Sequence, residues 1–163
     1  MSLIKTDAIQ TLAGKPILNA TGSVLQVVPI KYNTQQSTSS TAYQNTNMTG
    51  SITPSSSSSK ILVMFSGVAY ADVAAAHAVI TIFRGNNTGT ILDLGGASGM
   101  GFGAAYAGGS AVKNNVVAFV VDSPSTTSSV TYTVAIKRSA GSGTVYLNVN
   151  SGTSTMTLME IAS

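Results

Sequence analysis

The chain has 163 residues, enough for one domain with a short appendage and long enough to bury a core without covalent staples. It contains no cysteine, which excludes disulfide frameworks and thiolate metal sites, and only 8% of its residues are charged. Its net charge of +3 comes from bases scattered along the chain, not clustered beside aromatics, which argues against a nucleic-acid surface. Hydrophobic residues make up 44%, so the chain is not a disordered polar one. Most of the remainder is Ser, Thr, Asn and Gly, leaving little surface charge to keep neighbours apart; such a chain suits a larger assembly. No apolar run reaches the roughly 18 residues of a membrane span, so no membrane insertion is expected. Residues 1–7 lack the charged-then-apolar layout of a secretory signal, and residence in a cytoplasm before assembly is expected.

In chain order, residues 1–28 stand apart. Their apolar residues follow no steady period, and Gly14-Lys15-Pro16 and Ala20-Thr21-Gly22 cut the segment into short pieces. This reads as an arm that docks on something else, with Ile9, Leu12, Ile17 and Leu18 as candidate anchors. Residues 23–28 also read as the first strand of the main domain, residues 29–163. A polar stretch follows, with one edge strand over residues 42–52. Residues 60–70 and 78–84 are two β-branched and aromatic runs bounded by turn formers. A buried helix over residues 68–82 is the competing reading, because residues 71–78 are alanine-rich. Gly85-Asn86-Asn87-Thr88-Gly89 is a turn signal leading to a short strand over residues 90–94. Residues 95–109 form a glycine-rich loop, either functional or mobile, in which Met100, Phe102 and Tyr106 are candidate receptor or partner contacts. Strands over residues 116–121, 130–137, 144–149 and 155–161 complete the chain; Val130, Tyr132, Val134 and Ile136 give the cleanest two-residue period. Eight or nine short strands without a convincing long helix predict an all-β antiparallel sandwich or jelly roll.

Alternate side chains of a strand point to opposite faces. Ile61, Val63 and Phe65 take one face of residues 60–70, and Leu62, Met64 and Val68 take the other. Neither face is polar, whereas a lone sandwich shows one wet face. One face is the core, and the other needs a cover, for which another copy of the chain is the expected source. Met64, Phe83, Val117 and Phe119 are the candidate subunit-interface residues.

Chemistry is sparse. The single imidazole, His77, lies among alanines, and the five acids Asp7, Asp72, Asp93, Asp122 and Glu160 are far apart in sequence. A zinc site without cysteine needs several converging imidazoles or carboxylates, and a catalytic triad is recognised by geometry, which the His77 and Asp72 spacing does not supply. The segment Gly99-Met100-Gly101-Phe102-Gly103 lacks the Gly-Lys-Ser/Thr ending of a phosphate loop. No catalytic, cofactor or metal residue is expected, and His77 reads as structural. A carbohydrate-depolymerising enzyme would bring paired carboxylates; a pure carbohydrate-binding module, using Asn, Tyr and backbone, is the alternative from a different class.

Several blocks resemble one family. Leu12 to Asn19, Thr21 to Val28, Ile52-Thr53-Pro54 with Ser58 to Val63, Asp122-Ser123-Pro124 with Ser128 to Tyr132, Gly143 to Tyr146 and Met159 to Ala162 are similar, in order, to small virion proteins of marine and freshwater tailed phages, the cyanophage type. The family is described as tail-fibre or virion structural protein. Its main domain is thought similar to the trimeric jelly rolls of tumour-necrosis-factor and complement globular heads. The resemblance implies a phage particle and a homotrimer, with virion localisation after assembly in the host cytoplasm. The partners expected are the chain itself, other virion proteins through the arm, and a host surface receptor. A capsid decoration protein is the runner-up.

Overall fold

The computed structural model describes residues 21–92, 101–106 and 108–163, with only the backbone of Gly103, Ala104, Tyr106 and Ser151. The candidate anchors Ile9, Leu12, Ile17 and Leu18, and Met100, lie outside the described residues. The strands are β1 (Val24–Tyr32), β2 (Gln36–Thr38), β3 (Gln44–Ile52), β4 (Lys60–Ala71), β5 (His77–Arg84), β6 (Thr90–Ile91), β7 (Gly103–Tyr106), β8 (Val112–Asp122), β9 (Val130–Arg138), β10 (Val145–Leu147) and β11 (Ser154–Ile161). A short 3-10 turn, Val149–Ser151, separates the last two. The helix weighed for residues 68–82 is absent: that span is the end of β4, a turn and β5. The β-branched residues flanking the alanines outweigh the alanine run, and the turn takes Ala75 through positive φ.

All pairings are antiparallel, in two sheets that make a sandwich. The first sheet is organised around β4. Along one edge β4 pairs with β8 over residues 61–71; along the other it pairs with β11 and then, at residues 69–71, with β10. Strand β1 lies outside β11, and β2 outside β10. The second sheet runs β3-β9-β5, and β6 and β7 share the far edge of β5. Two boundaries move from the sequence reading. Residues 23–28, read both as the end of the arm and as the first strand of the main domain, open β1, whose Val24–Tyr32 pairs with β11, so the arm boundary at residue 28 falls inside a strand. Residues 103–106, assigned to the glycine-rich loop, form β7 against β5.

Between the sheets lie Ile61, Val63 and Phe65 of β4, Met156 and Leu158 of β11, Ile80 and Ile82 of β5, and Tyr132 and Val134 of β9, all buried. Gly67 allows the close approach of β4 to the start of β11: a Cβ there would collide with the Ser154 hydroxyl and the Phe65 ring.

Polar fastenings hold the sandwich at its margins. Asn148 sits in the left-handed region at φ 61, which Asn tolerates better than most residues. Its side-chain amide donates to the Tyr32 carbonyl (3.1 Å), and its Oδ1 accepts from Ser154 Oγ (2.5 Å). At another margin, Arg84 Nη1 of β5 lies 3.1 Å from both oxygens of Asp122 on β8, and the buried Tyr132 hydroxyl donates to Asp122 Oδ2 at 2.8 Å. This cluster ties the end of β8 to the opposite sheet. Burial and the hydrogen bond to Asp122 push the Tyr132 phenol well above its ordinary range, against the opposing effect of Arg84.

A third fastening is Glu160, fully buried on the inner face of β11. Its Oε1 accepts from the Ser55 backbone N–H (2.7 Å) and Ser55 Oγ (2.6 Å), and its Oε2 accepts from Gln26 Nε2 (2.6 Å). Burial alone would raise this carboxyl; the Ser55 and Gln26 hydrogen bonds outweigh it and hold the group down at about 2. The stabilisation is therefore present above the unfolded-state value of about 4.3 and is lost as pH falls through the folded value. Glu160→Gln turns an amide donor toward donors and should cost about 1–3 kcal/mol at neutral pH. Urea melts of both proteins should show a gap that is fully developed above pH ~5 and narrows as pH falls toward 2. A gap independent of pH would contradict this role for the carboxylate.

Candidate interaction face

The outward side of the first sheet follows from the register. Odd residues of β4 fill the core, so Leu62, Met64, Val68 and Tyr70 point outward. Opposite them β8 places Val121 beside Leu62, Phe119 beside Met64, Val117 beside Ser66 and Lys113 beside Tyr70. On the other edge β11 places Met159 beside Leu62 and Thr157 beside Met64, and β1 continues both rows with Val27 and Pro29. An apolar band thus crosses four strands. Its two ends are the most open parts: Val117 is 50%, Phe119 63% and Val121 60% exposed at one end, and Val24 is 52% and Val27 48% exposed at the other. Leu62, Met64 and Met159, between them, are half-buried by their neighbours. No Asp or Glu occupies an outward position of these four strands, and Lys31, Lys60 and Lys113 stand around the band. At one end Tyr70 and Tyr146 stack at 5.4 Å, with Lys113 Nζ 5.7 Å from the Tyr70 ring centre.

This arrangement brings three of the four predicted interface residues together: Met64, Val117 and Phe119. Phe83 is elsewhere. It lies on the second sheet, 5% exposed, with its ring edge-on to Tyr43 at 5.6 Å. The chain itself covers the outward side of β5, where Val79 and Thr81 are also fully buried. The apolar character of residues 78–83 reflects that internal cover and not a subunit contact. Leu62, already placed on the face that needs a cover, belongs to the band; so do Val24, Val27, Val121 and Met159, which were not among the candidates. The apolar run of residues 116–121 contained the signal for Val121, whereas Val27 and Met159 needed the strand register.

Of the three predicted receptor contacts, only Phe102 has its side chain among the described ones. Phe102 is half-buried and packs against the core, and its backbone N–H donates to the Ile80 carbonyl at 2.9 Å. Tyr106 is the last residue of β7, paired with His77. Pinning residues 102–106 to β5 turns Phe102 inward, away from the exposed tip assumed for it.

His77 is fixed by its backbone, which donates to the Ala140 carbonyl (3.3 Å) and accepts from the Ser139 N–H (3.0 Å). Asp72 faces the start of β10: its Oδ1 accepts from the Thr144 N–H at 2.8 Å, and its Oδ2 from Tyr146 Oη at 3.4 Å. Among the described residues no group of three His, Cys, Asp or Glu converges as a metal site. A hollow of about 330 Å³ lies near the start of β1, walled by Ser55, Ser56, Ser58, Ser59 and Ser163 with Leu25 and Ala162; its walls offer hydroxyls and no carboxylate or imidazole side chain. Among the described residues no helix is long and apolar enough to cross a membrane.

No protein-family model matches the chain, and no curated protein matches it. Among solved structures the chain is similar to VP2 of an infectious bursal disease virus subviral particle, at 14% identity and TM-score 0.44, covering 99% of this chain and 46% of that one. It is similar to infectious bursal virus derived T=1 particles, at 13% identity and TM-score 0.45, covering 96% and 42%. A third likeness is to infectious bursal disease virus Gx strain, at 15% identity and TM-score 0.41, covering 96% and 43%. The chain spans less than half the length of these proteins. At these identities and scores the likeness assigns no function to the chain.

The two phenylalanines make opposite predictions. Phe83→Ala removes a buried ring and should lower unfolding free energy by roughly 3–5 kcal/mol. Phe119→Ala, at a surface position, should change the stability of the isolated chain by about 0.5 kcal/mol or less. Denaturant melts at low protein concentration check both; an equal loss in the two variants would mean that the face is part of the chain's own core.

Proposed function

We propose that the chain is a non-enzymatic virion structural protein of a tailed phage, a homotrimer that serves as a tail-fibre or receptor-binding component. The observation that carries the self-assembling, structural part is the outward apolar band of the first sheet. Its cluster of Val117, Phe119 and Val121 on an edge strand is larger than scattered surface apolar residues. Burying each such side chain is worth roughly 1.5–3 kcal/mol, and in an assembled particle a copy of the chain is always at hand. The carboxylates Asp72, Asp122 and Glu160 are all engaged in hydrogen bonds that fasten the fold, which supports structural over catalytic use. The tailed-phage assignment, the trimer and the arm as anchor rest on the sequence resemblance.

A second reading, a capsid decoration protein, is favoured by one observation. The fibre reading counted on an outward aromatic loop, and Phe102 packs inward. A decoration protein needs no such tip, since it holds neighbouring shell subunits by its arm and sheet.

Sedimentation of the purified chain at micromolar concentration should give three times the chain mass; a monodisperse monomer would defeat the assembly reading. Deleting residues 2–20 should leave the β domain folded and prevent its incorporation into virions. Gold-labelled antibody on intact particles decides the location: label on tails supports the fibre, label on heads replaces it with decoration, and unlabelled particles exclude both.

A further inference from the structure

We propose that the end of the first sheet farthest from the arm binds an acidic glycan, along the row that Ser37, Tyr146, Tyr70 and Lys113 make across four strands. The register sets these residues side by side. Ser37 of β2 is opposite Tyr146 of β10, Tyr146 is opposite Tyr70 of β4, and Tyr70 is opposite Lys113 of β8. Val145 and Leu147 are fully buried in the core, so Tyr146 between them points outward, as Tyr70 does between the buried Ala69 and Ala71. The two rings lie 5.4 Å apart at 39°, and Lys113 Nζ stands 5.7 Å from the Tyr70 ring centre. Asp72 Oδ2 accepts from the Tyr146 hydroxyl at 3.4 Å. Asn115, the next outward residue of β8, is exposed beside Val68. The inference rests on the receptor-binding reading above and names a ligand class and a site for it.

The chemistry of the row suits a sugar. A phenol offers a ring edge to sugar C–H groups and a hydroxyl to a sugar hydroxyl, at low entropic cost because few torsions must be fixed. The two tyrosines pack on each other, and Tyr146 is fastened to Asp72, so the row is organised before a ligand arrives. Lys113 is exposed, and the ion pair among the described residues is Arg84 with Asp122, so no described carboxylate neutralises Lys113. An anionic group on the sugar beside Tyr70 would. An extended peptide adds to a strand edge, whereas this row crosses strands. A nucleic acid would need clustered bases, and the row has one. Position agrees as well. Gly22 and Ser23, which join the arm to β1, bond to Ala162 just beyond the pair of Ile161 with Lys60. Tyr70 lies farther along β4, roughly 33 Å from Lys60. A chain held by its arm therefore carries the row at its outer end.

The test applies the full-length chain to an array of immobilised oligosaccharides that pairs uronate-bearing and sulfated glycans with neutral ones of the same length. The wild type should bind at least one acidic member roughly tenfold or more above its neutral counterpart. Tyr70→Phe combined with Tyr146→Phe keeps both rings and removes their hydroxyls; it should weaken acidic and neutral binding alike, by roughly tenfold. Lys113→Gln should erase the preference for the acidic member and leave neutral binding in place. Thermal melts and sedimentation of these variants should match the wild type, because the row lies beyond the apolar band. Absence of binding to every member, equal binding of acidic and neutral glycans, or unchanged binding by the double tyrosine variant overturns the site. So does acidic binding that depends on Lys113 alone, which would mark attraction by charge without recognition of a sugar. These outcomes leave the trimer and its place in the virion to their own measurements. A monomeric wild type that still binds an acidic glycan through Tyr70, Tyr146 and Lys113 removes the trimer and keeps the site.

Discussion

A strand whose alternate side chains fill a core must wet or cover the remaining ones, and β4 does not wet them. Its odd positions, Ile61, Val63 and Phe65, are buried between the sheets, while Leu62, Met64 and Val68 point away from them. Because β4 pairs with β8 on one edge and with β11 and β10 on the other, its outward rows extend across both neighbours. The band from Val27 to Val121 is a consequence of register: a shift of β8 by one residue would have turned Phe119 into the core and Ala118 outward.

A chain with so few charges fastens itself differently from an ordinary domain. Arg84 with Asp122 is the ion pair among the described residues, and it works as part of a cluster with Tyr132 that joins the two sheets. Among the described residues Glu160 has no cationic partner, and it is held ionised by Ser55 and Gln26 instead. Asn148 uses a left-handed backbone and its side-chain amide to join the end of β1 to the turn before β11. Each fastening lies at a margin of the sandwich, which leaves the interior apolar and the outward band uncharged. That combination separates an electrostatically quiet interaction face from the groups that set stability.

The second sheet solves the same problem internally. The outward residues of β5, Val79, Thr81 and Phe83, are buried by the chain itself, and Tyr43 stacks edge-on against Phe83. Lys137 Nζ lies over the Tyr43 ring at 4.3 Å, closing that side with a cation. Two sheets with similar apolar patterns thus have different fates, one sealed within the chain and one left exposed. The open one is the physical basis of the virion structural role proposed above, in which assembly would supply the missing cover.

The all-β class, the antiparallel sandwich and the position of most strands were legible in the sequence, because β-branched residues alternating between turn signals leave a chain few other ways to bury them. The two apolar faces of residues 60–68 were legible for the same reason, and so was the grouping of Met64 with Val117 and Phe119. The fate of Phe83 was not, because its pattern is identical whether Tyr43 of the same chain or another subunit covers it. Nor was the inward turn of Phe102: a glycine-rich stretch reads as a loop until β7 is found paired with β5. Glu160 looked like one of five scattered acids, and only folding brought Ser55 and Gln26, distant in sequence, to its two oxygens. Local alternation determined which residues could share a face; long-range pairing decided which faces the chain covers for itself and which it leaves exposed.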